Sequence, residues 1–302
     1  MTVFPQAATV DVPSTLAADL LDAATTLPPA VPADYYDTTR QSQARDEIRA
    51  GCPDGFDRLV ADIRACLVTP PFSALVRGLE YDDSHRVFVA VCRSLGELIS
   101  PPRDHNPRRA QLLHFIRPAE DLKAASGQAL TERLHTDAAD WPEPPAVIAM
   151  ICVRPDPMGL GRSRLLDVVS LRRAIEQELG ARALTVLEQE TIPWQLADYL
   201  GGGVVQRPIL TAETVRWRRY TTEFALRAGA PISPAVAGLL DPLERVIEET
   251  PATLEFLLGG GDLLVMANRR CLHARTGLSD PGVAGAVSDR LMIRSWIRAD
   301  ID

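Results

Sequence analysis

The chain has no run of about 18 apolar residues and does not open with a basic stretch leading into a continuous apolar one. A membrane span and a secretory leader are both disfavoured, and a cytoplasmic protein is expected. Cysteine is sparse. Cys52, Cys66, Cys92, Cys152 and Cys271 make an odd number with no C-x-x-C spacing, which argues against a disulfide framework and reads as reduced, mostly buried thiol. Cys271, two residues before His273, invites a metal reading, but a small core hydrophobe is the favoured role. Positive charge is also short. With 32 Lys+Arg against 40 Asp+Glu the formal charge is −8, so there is no basic field to attract a nucleic-acid backbone. Small molecules or proteins remain as partners, and nothing in the sequence sets an oligomeric state.

What is present is an ordinary globular composition, 46% hydrophobic and 24% charged over 302 residues, enough for a sizeable core. Residues 1–34 are rich in Ala, Thr and Pro and read as an N-terminal surface arm, with one short helical pattern at Leu16–Ala24 after Ser14. Residues 35–302 read as a single domain with helical insertions. Apolar residues at helical spacing mark Ala44 to Leu67 and His85 to Ile99, with FSALVRGL between them as a strand. Beyond these, eight short β-rich runs are bounded by Gly or Pro: Gln111–Pro118, Ala146–Pro155, Arg162–Val169, Gln206–Leu210, Thr214–Tyr220, Thr253–Leu258, Asp262–Ala267 and Asp289–Arg298. Helical insertions are predicted at Ser170–Gly180 and Pro234–Glu249, and ADYLGGGVV, with Gly201, Gly202 and Gly203 in a row, reads as a loop. The fold class expected is mainly β with supporting helices (α+β), its strands forming a double-sheet roll or barrel.

Three stretches carry chemistry. In LHTDAADWPEPP, an extended backbone projects side chains at i and i+2 from one face, so His135 and Asp137 can offer an imidazole and a carboxylate to one point. In GGGDLLVMANRRCLHARTG, an apolar strand runs into a polar turn that presents His273. Two histidines and a carboxylate occupy one face of an octahedral metal and leave other positions open, the arrangement suited to non-haem Fe(II). Zn(II) competes for the same ligands but settles into four-coordinate sites. The third stretch is DRLMIRSWIR, where Arg290, Arg294 and Arg298 recur every four residues in an apolar β pattern. Even spacing puts them on one face, and a core-facing guanidinium needs an anion to offset its desolvation. A dicarboxylate would supply it, since Arg pairs bidentately with carboxylate. The alternative is an edge strand whose arginines face water, which is favoured for Arg298. Arg216 and Arg218 in VRWRRY alternate onto the face of Tyr220, within possible reach of a substrate; a solvated strand face is the plainer account. Trp141 is expected to pack, and His85, His105 and His114 are not assigned to metal.

HTD, followed by NRRCLHART and then DRLMIRSWI, resembles the Fe(II)/2-oxoglutarate-dependent dioxygenases of the taurine dioxygenase and clavaminate synthase type, from about Leu67 to the C-terminus. The resemblance implies a double-stranded β-helix (jelly-roll) core. It implies that His135, Asp137 and His273 bind Fe(II), with 2-oxoglutarate and O2 as co-substrates. Arg290 would anchor the 2-oxoglutarate carboxylate, Ser163 in GLGRSRLLD would hydrogen-bond it in place of the more usual Thr, and Arg294 would meet the substrate or support the co-substrate. One departure is Ala267 before Asn268, where the family commonly has Asp. Asp137 also fills the position that related halogenases leave open for chloride, so hydrogen abstraction leading to hydroxylation, desaturation or ring closure is implied over chlorination. An amino acid, or an amino-acid-derived natural-product intermediate, is the substrate class the resemblance suggests. Two other readings stay open: a non-catalytic double-sheet protein binding a small acidic ligand, and a Zn-dependent hydrolase using the same three ligands.

Overall fold

The computed structural model describes residues 4–28, 37–100, 112–117, 130–278 and 289–301. Twelve strands and nine α-helices are assigned within them. The larger sheet runs in the order β1 (Thr9–Asp11), β2 (Ser73–Arg77), β10 (Leu263–Ala267), β5 (Val147–Arg154), β12 (Leu291–Arg298) and β3 (Glu97–Ile99), with β4 (His114–Ile116) also pairing β12. A smaller sheet has the order β11 (Cys271–Arg275), β6 (Ser163–Asp167) and β9 (Leu254–Phe256). β7 (Ile192–Gln195) and β8 (Val204–Arg207) form a separate hairpin, and Gly201–Gly203 lie in its connection.

The central strands β5 and β10 read as continuous apolar runs because both of their faces are covered. One face of the larger sheet packs under α3 (Pro53–Val68) and α4 (Arg86–Leu95). The helical stripe Phe56, Leu59, Ile63 and Leu67 is buried there, at the i, i+3, i+7 and i+11 spacing of a single helix face. The other face of β12 looks toward the smaller sheet, and buried side chains from both sheets and the helices join one contiguous cluster. α5 (Val168–Leu179), α6 (Ala181–Gln189), α8 (Pro234–Ala237) and α9 (Leu240–Glu249) fill the two expected insertions and the chain just after the first.

Several expectations need correction. The segment read as a surface arm is part of the fold: β1 pairs parallel with β2, and α1 (Ser14–Thr26) buries Ala17, Leu20 and Ala24. The helical pattern at Ala44–Leu67 belongs to two helices, α2 (Thr38–Gly51) and α3, divided at Cys52 because Pro53 occupies the first turn of the second. The helix expected at His85–Ile99 stops at Leu95, and its last residues pair with β12 as β3. Thr214–Tyr220 forms no strand. It has one isolated bridge, Leu210 to Val215, and then turns into α7 (Arg219–Arg227). The β4 segment lies inside the strand expected at 111–118, whose first and last residues fall outside the described ones, as does His105. Among the described residues no helix is long and apolar enough to cross a membrane.

Candidate metal centre

His273 sits in the middle of β11, and its backbone forms a two-way bridge with His135, His135 N–H to His273 O and the reverse, each at 3.0 Å. This pairing brings a residue 138 positions earlier directly opposite His273, with the two rings 4.5 Å apart between centroids. Asp137, two residues on, projects to the same side. Its Oδ1 lies 3.3 Å from His135 Nε2 and 3.7 Å from His273 Nε2, and one ligand atom from each of the three lies within 4.8 Å of the others. All three side chains are buried.

The backbone of the HTD turn is fixed by an amide. Asn268, fully buried, accepts Asp137 N–H at 2.9 Å and donates to Asp137 O at 3.1 Å and Pro145 O at 3.0 Å. Thr136 N–H donates to Trp217 O at 2.7 Å, and Thr136 Oγ1 accepts from Trp217 N at 3.1 Å. Arg216 wraps the residues that follow, donating to the carbonyls of Ala139 and Trp141 while its guanidinium lies 4.9 Å above the Trp194 ring. Burial pushes that guanidinium down to about 10. Arg216 is therefore a latch for the HTD turn and not part of a solvated strand face.

The Asp137 carboxylate is divided between two tasks. Oδ1 faces the imidazoles, whereas Oδ2 accepts from Arg294 Nη1 at 2.6 Å and from Trp296 Nε1 at 2.9 Å. With both lone-pair directions of Oδ2 engaged, Asp137 can ligate a metal through Oδ1 only. The three side chains then fill three positions of a six-coordinate ion rather than four. Arg294 is steadied in turn by His114, whose Nδ1 accepts from Nη2 at 3.1 Å and whose ring stands edge-on to Trp296 at 4.8 Å. Trp296 packs edge-on against Trp141 at 5.3 Å.

The protonation states suit a cation. Burial alone would raise the Asp137 carboxyl, but the Arg294 guanidinium, ahead of the imidazole neighbours, holds it well below the usual carboxylate range. Burial, reinforced by His135, pushes His273 down to about 3, so at neutral pH its ring is uncharged. His135 Nδ1 lies 2.7 Å from Arg133 O, a contact that requires Nδ1–H as donor. In the neutral ring this leaves Nε2 as a bare acceptor opposite the Oδ1 acceptor at 3.3 Å. Acceptor atoms converging in a buried space need positive charge between them, and two imidazoles with one carboxylate are a fitting donor set for Fe(II).

Beside the triad lies a pocket lined by His135, His273, Ser163, Arg290 and Arg294, with Met150 and Met292 on its apolar side. Ser163 opens β6, opposite Arg275 of β11, and is buried. Arg290 precedes β12 at a register shift between Leu291 and Met292 and is 9% exposed. Its aliphatic stem and Nε run past Gly161. A Cβ at Gly161 would come 3.4 Å from Arg290 Cδ, 3.3 Å from its Nε and 2.6 Å from Leu278 Cδ2, and the glycine has φ +67°. The absence of a side chain there makes room for Arg290. The three arginines do not share one environment. Arg290 and Arg294 line the pocket, but Arg298 is exposed and pairs with Glu97 at 2.7 Å. Cys271 is fully buried against Ser73 and the Pro71 carbonyl, away from the ligand set. Sequence reasoning missed Trp296, His114 and Asn268. Trp296 lies two positions after Arg294 on one strand, the only signal that could have joined them.

The chain belongs to the family described as taurine catabolism dioxygenase TauD, TfdA family, which matches over residues 53–296. No curated protein matches its sequence. Among solved structures it is similar to an asparagine oxygenase in complex with Fe(II), 2S,3S-3-hydroxyasparagine and succinate, with a TM-score of 0.75 and 17% identity over 96% of this chain and 93% of the other. It is also similar to the non-heme iron oxygenase OrfP in complex with Fe, succinate and (3S)-hydroxy-L-Arg, with a TM-score of 0.70 and 16% identity over 97% of this chain and 94% of that one. The shared fold is the jelly roll of iron oxygenases.

Proposed function

We propose that the protein is a cytoplasmic Fe(II)- and 2-oxoglutarate-dependent oxygenase that removes a hydrogen from a small amino-acid-like substrate. The observation that carries this reading is the convergence of His135, Asp137 and His273 beside a pocket that also holds Arg290 and Ser163. The three ligands would hold iron on one face, His135 and His273 through Nε2 and Asp137 through Oδ1. When bound, Fe(II) supplies the O2 chemistry that couples oxidative decarboxylation of 2-oxoglutarate to substrate oxidation.

The protein's own share is positioning. Arg290, a buried cation at the pocket wall, would anchor the distal carboxylate of 2-oxoglutarate, with the Ser163 hydroxyl as a second donor. Met150 and Met292 keep that end of the pocket apolar, which strengthens the ion pair by excluding water. Arg294 and Trp296 keep Asp137 ionised and one-toothed, leaving room for the keto acid. An amino acid as substrate agrees with the asparagine and arginine products named for the two similar oxygenases.

The test is succinate formation from 2-oxoglutarate with Fe(II) in air. The wild-type protein should form succinate, and His135→Ala should form none. Succinate formation that is unchanged in His135→Ala, or turnover of an ester with Zn(II) in the absence of O2, would overturn the reading in favour of other chemistry.

A further inference from the structure

The imidazole of His135 is oriented by the peptide unit just before it. That unit, between Arg133 and Leu134, accepts from His135 Nδ1 at its carbonyl, at 2.7 Å, and donates its N–H to Glu248 Oε1, also at 2.7 Å. Glu248 lies near the C-terminal end of α9, 114 positions further along the chain. Its Oε2 accepts from Arg164 Nη1 at 2.9 Å, and Arg164 Nη2 donates to the Glu248 main-chain carbonyl at 2.9 Å. That carbonyl belongs to the last turn of a helix, where it has no partner within the helix, so the guanidinium satisfies it and fixes the carboxylate at the same time. Arg164 Nη1 also reaches the Glu132 carbonyl at 3.4 Å. One turn earlier on α9, Glu244 pairs with the Arg133 side chain at 2.7 Å. Of the two α9 carboxylates, Glu248 is the one that touches the backbone meeting the imidazole.

A neutral imidazole can carry its proton on either nitrogen, and only the Nδ1–H form leaves Nε2 free to bind a metal. A hydrogen bond at the N–H end of a peptide polarises its carbonyl end and makes it a better acceptor, and a carboxylate does this more strongly than a neutral partner. Leu134 is 1% exposed. Without Glu248 its N–H would be a buried donor with no acceptor, and rotation of the peptide unit toward another partner would carry the carbonyl off His135. His273 has no equivalent, since its buried Nδ1 lacks a hydrogen-bond partner among the described residues.

We infer that Glu248 is a positioning residue for His135, acting through the peptide unit between Arg133 and Leu134. It holds the imidazole as its Nδ1–H tautomer, with Nε2 turned toward Asp137 Oδ1. Arg164 completes the relay by fixing the carboxylate. The role in holding iron rests on the oxygenase reading, whereas the tautomer is a property of the metal-free chain.

The metal-free protein, isotopically labelled at histidine nitrogen, reports the tautomer by NMR at neutral pH, with His135→Ala assigning the signal. The wild-type chain should show His135 as Nδ1–H, with that proton slow to exchange with water. Glu248→Ala should give mixed tautomers or a fast-exchanging proton, and should weaken anaerobic Fe(II) binding about tenfold or more, the scale for losing a partner behind a metal ligand. Glu248→Gln keeps an acceptor oxygen for Leu134 N–H but loses the charge, and should lie between the two. Glu244→Gln breaks the neighbouring α9 pair without touching the backbone, and should stay within about twofold of wild type in Fe(II) affinity with the tautomer unchanged. An unmoved tautomer and exchange rate in Glu248→Ala would overturn the assignment, as would equal losses in Glu244→Gln, which would reduce the effect to docking of α9. Where Glu248→Ala does not fold, Glu248→Gln decides: Nδ1–H exchange no faster than in the wild type overturns the assignment. Absence of a visible chelate of Fe(II) and 2-oxoglutarate in the wild-type chain would speak against the oxygenase reading, and the tautomer would still decide the role of Glu248.

Discussion

At the scale of single residues, the chemistry turns on how Asp137 uses its two oxygens. An unengaged Oδ2 would be free to swing onto the proposed metal and close a position that 2-oxoglutarate or O2 would need, and Arg294 and Trp296 hold it away. Trp296→Phe removes one of these donors while retaining an aromatic ring against Trp141. It should weaken Fe(II) binding by about tenfold or more, as loss of a partner to a ligand typically does, measured by anaerobic titration. An unchanged affinity would mean that Arg294 alone suffices. At this scale much of the site was legible before any coordinates. His135, Asp137 and His273 were singled out by residue type and order, Arg290 and Arg294 by their even spacing in an apolar strand, and Ser163, with the particular roles of the arginines, by resemblance. Trp296, His114 and Asn268 were not, because Trp296 and Asn268 reach Asp137 across 159 and 131 residues of sequence and His114 reaches Arg294 across 180, and nothing local in such a side chain says which carboxylate, backbone amide or guanidinium it will meet.

At the scale of elements, strands of the larger sheet announced themselves through apolar runs, and the alternation along β12 decides the site. Met292, Arg294 and Trp296 point toward the centre, while Ile293, Ser295 and Ile297 are buried on the opposite side. Errors came where tertiary context overrode local pattern. VRWRRY alternates like a strand, but Arg216 is drawn onto the carbonyls of Ala139 and Trp141, and the chain then enters α7. The N-terminal segment, rich in Ala and Thr, carries few large apolar residues and so reads as surface, yet Leu20 is fully buried. Leu20→Ala should accordingly cost about 2–5 kcal/mol of stability, the range for emptying a core leucine site, read from denaturant unfolding. A surface arm would lose less than about 0.5 kcal/mol.

At the scale of the whole molecule, the candidate centre is a meeting of distant parts. The smaller sheet brings His273, the turn between the sheets brings His135 and Asp137, and the last strand of the larger sheet brings the donors that hold Asp137. Neither sheet owns the site alone, so a correctly closed roll is a condition for metal and keto acid to bind together. Anaerobic addition of Fe(II) and then 2-oxoglutarate to the intact chain, followed by visible absorption, reports directly on that assembly. A weak charge-transfer band that requires both additions and is lost in His135→Ala is the predicted result; no band in the wild-type chain, or an undiminished one in His135→Ala, would contradict the account.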